Sequence, residues 1–242
     1  MHRLWRFAQD VSFGLGAIGS GFLIAFLGVP LANPVAAQEA TPGVLGTEVA
    51  SQCVTDIGTA EVPEGATAFS IVGEESAARY RAQEELASVG TTEAVGETNA
   101  IVGTILMAED GTPLPCSRFD VDLRTLQSDE ARRDNYLYDN TLETGTYPLA
   151  TFVLTSIEGL DGPIPEGQET TFMLVGNLTV HGETRLITWE ATVTREGDTL
   201  TGSAKTTFEM ADFGIEEPVV GPVLSVDEMI ALEVDITAQR AA

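Results

Sequence analysis

Between Thr170 and Phe213 hydrophobic and polar positions alternate with a period of two through three successive runs. The first, TTFMLVGNLTV, puts Phe172, Leu174, Leu178 and Val180 on one side and Thr171, Asn177 and Thr179 on the other. That is the pattern of a half-buried strand. After His181-Gly182-Glu183 the chain returns with Ile187, Trp189, Ala191 and Val193 alternating against Thr188, Glu190, Thr192 and Thr194. Gly197-Asp198 then supplies a second turn, followed by Leu200, Gly202, Ala204, Thr206 and Phe208 at alternate positions. Three antiparallel strands joined by tight turns are expected. The inward face shrinks at Gly202 and Ala204, which points to space inside the fold.

The same pattern recurs on either side. Phe69 and Ile71 mark a short strand, AARYRAQEEL a second with one polar face, Ile101 to Met107 a third, and Phe119, Val121 and Leu123 a fourth. Gly90 to Thr98 reads as a polar loop. The period then changes: Ser128 is a candidate N-cap, Asp129 and Glu130 suit the positive end of a helix, and DEARRDNYLYDNTL is helical in pattern. Phe152, Leu154 and Ser156 share a face of the next strand, and Ile230, Leu232, Val234 and Ile236 alternate in the last. About nine strands and one inserted helix make the chain all-β, and closing the sheet into an antiparallel barrel would remove its exposed edges.

Two features outside the strands change the picture. Residues 1–37 begin with His2, Arg3 and Arg6, carry no charge between Asp10 and Glu39, and reach the small residues Val35-Ala36-Ala37 before Gln38. This is an N-terminal hydrophobic export helix, either a cleaved signal peptide or an uncleaved membrane anchor, and it places the rest of the chain outside the cytoplasm, secreted or held at the outer face of the membrane. Residues 38–65 read as a flexible linker and 66–242 as the barrel domain. Cys53 and Cys116 are the two cysteines of the 242 residues. In an exported chain such a pair favours a disulfide over a metal site, with two free thiols as the alternative.

Charge and candidate chemistry narrow the function. Asp and Glu total 37 against 12 Lys and Arg, so the surface repels nucleic acid. Past the leader the single histidine, His181, sits in a turn, too little for a zinc site. The nucleophile-elbow and phosphate-loop glycine patterns are absent, so no enzyme is expected. What remains is apolar. Met107, Phe119, Phe152, Phe172, Trp189, Phe208 and Leu232 fall on faces a barrel turns inward, where they form either a filled core or the wall of a ligand cavity. Gly103, Gly176, Gly202 and Ala204 favour the cavity.

Four fragments in order, SDEARRDNYL from Ser128, YPLATF from Tyr147, GNLTVHGETR from Gly176 and ADFGI from Ala211, resemble the YceI-like family of exported lipid-binding proteins. The likeness runs from about Thr67 to Ala238. It implies an eight-stranded, lipocalin-like antiparallel barrel that holds a long isoprenoid lipid, such as a polyprenyl quinone or polyprenyl phosphate, without further cofactor. It also implies a helix near the barrel mouth, where Arg132, Arg133 and Tyr136 are candidates to meet a headgroup. The chain departs from the family pattern at Tyr136, where the family often has His, and at Leu142, where Phe is common. A structural or adhesion barrel with a filled core is the alternative, and the membrane is a further partner if the leader stays attached.

Overall fold

A sheet with one greasy face can hide it by curling until its two edges meet. The computed structural model describes residues 53–218 and 223–241, so residues 1–37, expected to direct export, and most of the stretch expected as linker lie outside the described residues. In chain order the strands are β1 (Thr55–Asp56), β2 (Thr59–Ala60), β3 (Ala66–Ile71), β4 (Ala77–Leu86), β5 (Gly90–Thr98) and β6 (Ile101–Ala108). They continue as β7 (Arg118–Asp122), β8 (Leu149–Glu158), β9 (Thr170–Val180), β10 (Glu183–Glu196), β11 (Thr199–Glu209) and β12 (Val223–Arg240). Neighbours pair antiparallel in the order β11-β10-β9-β8-β7-β6-β3-β12-β4-β5, and β11 also pairs with β12, which closes the ring.

The ring has eight staves, because β3 and β4 are halves of one stave and β5 and β6 halves of the next. β3 pairs with β6 and β4 with β5, while β12 runs along both β4 and β3. Where β9 turns into β10, His181 and Gly182 both have positive φ, 52° and 79°, as a two-residue hairpin turn of matching twist requires. Outside, the cations of β4 are held by acids on both flanking strands. Arg79 bridges Glu97 and Asp235, and Arg81 lies 2.8 Å from Glu93 and 3.0 Å from Glu233.

Several sequence expectations are corrected. Gly90–Thr98 is a strand, not a loop. Its inner face is Ala94 and Gly96, and the Tyr80 ring of β4 fills the space a Cβ on Gly96 would take. A bulge between Leu154 and Ser156 buries Thr155 and turns Ser156 to solvent, so Ser156 does not share the face of Phe152 and Leu154. The helix α1 is short, Ala131–Tyr136, and its N-cap is Glu130, whose carboxylate accepts from the Arg132 N–H. Ser128 instead donates to Asp134 across 2.6 Å. A π-turn over Leu137–Thr141 follows α1.

From Cys53 onward the stretch expected as linker is ordered. β1 and β2 form a miniature ribbon beside β6 and β7, and Cys53 is disulfide-bonded to Cys116. The buried Asp120 carboxylate fastens the ribbon: it accepts from the Gly58 N–H at 2.7 Å, from Thr151 at 2.5 Å and from two Arg118 nitrogens at 2.7 Å each. Arg118 in turn reaches Thr55 at 3.0 Å.

Candidate ligand-binding interior

Among the described residues two separate spaces stand out, with no lining residue in common. One lies toward the end where β10 turns into β11. It has a volume of about 120 Å³ and a wall that is apolar almost throughout, with Ile105, Met107, Phe119, Phe152, Phe172 and Ala204 among its lining. Apolar space of that size accepts a benzene-sized group. Loops close this end: Ile164, 3% exposed, is turned inward and its N–H donates to the Gly111 carbonyl at 3.0 Å, while Pro113 bridges back to Met107.

The other space, about 620 Å³, opens at the opposite end between β4, β5, the start of β12 and the α1 segment. That volume is in the range of small-molecule sites. Leu86, Ala94, Val223 and Val226 give it an apolar wall, and Arg132, Arg133, Tyr136 and Asn140 give it a polar rim. Four carboxylates line it, Glu84, Asp129, Glu130 and Asp139, against the two arginines.

The apolar candidates divide. Met107, Phe119, Phe152 and Phe172 line the closed-end cavity. Trp189, 2% exposed, stands edge-on to Phe119 and Phe152, with ring centroids 6.1 and 5.9 Å apart. Phe208 packs against Phe213 at 4.7 Å, a contact away from both spaces, and Leu232 is half-buried against the core. Of the small residues expected to leave room, Gly202 and Ala204 line the cavity. Gly103 and Gly176 do not: the Arg118 carbonyl with Ile71, and the Val153 carbonyl with the Phe152 ring, occupy the space their Cβ atoms would take. The two glycines thus make room for the adjacent strand and its side chains rather than for a guest.

The three polar candidates meet different fates. Arg133 is tied down, 2.7 Å from the buried Glu84 and 2.6 Å from Asp129. Arg132 is exposed and lines the open pocket, and among the described residues it is the cation without an ion pair. Tyr136 lines the pocket beside it. Sequence reasoning missed Tyr80 and Glu84, which face this pocket from β4. Their alternation with Arg79, Arg81 and Gln83 was the available signal, since it puts the tyrosine and one acid on the apolar side. Burial pushes the Tyr80 hydroxyl up to about 12, so it stays a proton donor. Among the described residues no cluster of three or more His, Cys, Asp or Glu is placed to hold a metal.

A family model described as a YceI-like domain matches residues 69–239. A UPF0312 protein of Pseudomonas putida strain GB-1 is 34% identical over 118 residues, 45% of this chain and 58% of the relative's own length. Protein YceI of Escherichia coli O157:H7 is 28% identical over 138 residues, 54% of this chain and 68% of that protein. The fold is similar to that of a polyisoprenoid binding domain from Saccharophagus degradans implicated in plant cell wall breakdown, with TM-score 0.56 and 13% identity over 72% of this chain and 98% of that one. Burkholderia cenocepacia BcnA matches with TM-score 0.55 and 16% identity, covering 70% of this chain and 99% of its own.

Proposed function

The chain belongs to the YceI-like domain family, and from that premise we propose that it is an exported, non-enzymatic binding protein for a long isoprenoid lipid with a neutral headgroup. The observation that carries this is the pair of spaces in one closed barrel, an apolar cavity of about 120 Å³ toward one end and a pocket of about 620 Å³ with a polar rim at the other. The lipid enters by the open pocket and its tail is directed to the cavity. Each methylene buried along the way contributes about 0.8 kcal/mol. The likeness to the Saccharophagus polyisoprenoid binding domain supports the ligand class. Four carboxylates against two arginines around the pocket disfavour a phosphorylated headgroup relative to a quinone. Arg132 and Tyr136 are the rim groups available to the headgroup. The Cys53–Cys116 disulfide supports a location outside the cytoplasm.

One observation favours a second reading. Phe119, Phe152 and Trp189 pack together in the lumen, as they would in a barrel filled by its own side chains. Native mass spectrometry and organic extraction of protein purified from its own host separate the two. The carrier yields a stoichiometric isoprenoid lipid, chemically unchanged after long incubation. Protein that emerges lipid-free, and that takes up no prenyl quinone afterwards, is the filled barrel.

A further inference from the structure

At the open end of the barrel one strand edge is left without a neighbour. β5 pairs with β4 on one side. On its other side the backbone pairing among the described residues is confined to its end, where Glu97 and Gln127 exchange both bonds, at 2.8 and 2.9 Å. Pairing stops there because the next residue, Ser128, turns its N–H to the Asp134 carboxylate at 3.0 Å. Backbone groups alternate in direction along a strand, so Thr91, Glu93 and Val95 point the same way as Glu97, away from β4. Among the described residues their N–H and C=O groups meet no hydrogen-bond partner. Such an edge is a template for another strand.

The two faces beside the edge say which strand fits. Outside, Arg79 is shared between Glu97 and Asp235, and Arg81 between Glu93 and Glu233, so four carboxylates stand against two guanidinium groups. Inside, Ala94 is 4% exposed and joins Leu86 and Val226 in the apolar wall of the open pocket. A second copy of the chain is the wrong occupant, because it would bring the same carboxylates and set a formal net charge of −25 against its like. We infer that the β5 edge docks an extended segment of a basic partner protein, in which lysine or arginine alternates with apolar residues. The cation opposite Glu93 exchanges both backbone bonds with it and meets the excess carboxylate outside, while the apolar neighbours turn inward beside Ala94. This goes beyond the lipid-binding function and does not depend on what the lumen holds.

The test uses the full chain and a fluorescent peptide of alternating lysine and valine, about eight residues long as an ordinary strand is, read by anisotropy at about 0.15 M salt. N-methylation of the peptide separates strand pairing from attraction by charge alone. Methyl groups on the lysine amides, which face β5, should weaken binding about tenfold or more, the net value of two lost hydrogen bonds. Methyl groups on the valine amides, which face away, should leave binding unchanged. Val95→Pro removes an edge N–H and leaves the β4 ladder intact, as proline does on a strand edge. It should weaken the unmethylated peptide about fivefold. If that substitution unfolds the protein, the two methylated peptides decide alone. Equal binding by the two methylated peptides, or no binding by the unmethylated one, overturns the inference. So does a dimer of the chain that Val95→Pro disrupts, which would give the edge to a second copy.

Discussion

Ala204 is the position where the size of the cavity can be tested against its use. It stands directly across from Ala191 on the neighbouring strand, and both side chains line the closed-end cavity. Ala204→Leu adds three carbons to a space of about 120 Å³, and at about 0.8 kcal/mol for each buried carbon the gain is at most about 2.4 kcal/mol. The ligand-free protein should therefore melt higher, by about 5–10 °C at the upper bound. The same three carbons exclude an equal length of tail, so affinity for a prenyl quinone should fall by up to about fiftyfold. Thermal melts with and without ligand read both effects in one experiment: the free protein gains while the ligand-induced shift shrinks. The opposite pair, a lower melting temperature with affinity intact, would mean that the cavity is neither spare volume nor the seat of the tail.

Three more outcomes follow from the geometry. Replacing Cys53 and Cys116 by serine opens a loop with a sequence separation of 63 and should cost about 4 kcal/mol in denaturant unfolding. Burial alone would raise the Asp120 pKa, but hydrogen bonds from Arg118, Thr151 and the Gly58 N–H outweigh it and hold the group below the usual carboxylate range. Its stabilisation is thus fully present above about pH 4 and lost as pH falls through the lowered value. Acid titration of unfolding should show that loss, and Asp120→Asn should remove this part of it. Arg133→Ala strands the buried Glu84 and should cost about 3 kcal/mol, whereas Arg132→Ala should leave stability unchanged within about 0.5 kcal/mol and alter only headgroup selectivity, as binding titrations would show.

The parts of the fold written in local alternation were legible in the chain. β9, β10 and β11 have apolar residues every second position and glycine-bearing turns between them, so both hairpins could be placed from the sequence. β5 could not, because its buried side is Ala94 and Gly96, and what makes it a strand is the Tyr80 ring laid over it from β4. The bulge at Thr155 and the ordering of the ribbon after Cys53 likewise depend on distant partners, Val175 in one case and Asp120 in the other. The interior was half legible. Its aromatic lining followed from the alternation, but a glycine facing inward has the same letter whether it borders a cavity or a neighbouring ring, and only the folded chain puts Gly202 at the cavity and Gly176 under Phe152. The headgroup region was read from α1 alone, so Arg133 entered as a candidate without Glu84, the partner that occupies it.

The long final strand has a consequence for how the molecule is made. β12 lies along β11 on one side and along β4 and then β3 on the other, so residues 223–240 join the first staves to the last. Until they leave the ribosome, β11 and the early hairpin each present a bare edge, and no length of nascent chain short of that point can seal the wall. Closure of the wall is therefore held back until residues 223–240 have emerged, and before then the chain can pair its early and late staves only as separate, open-edged sheets.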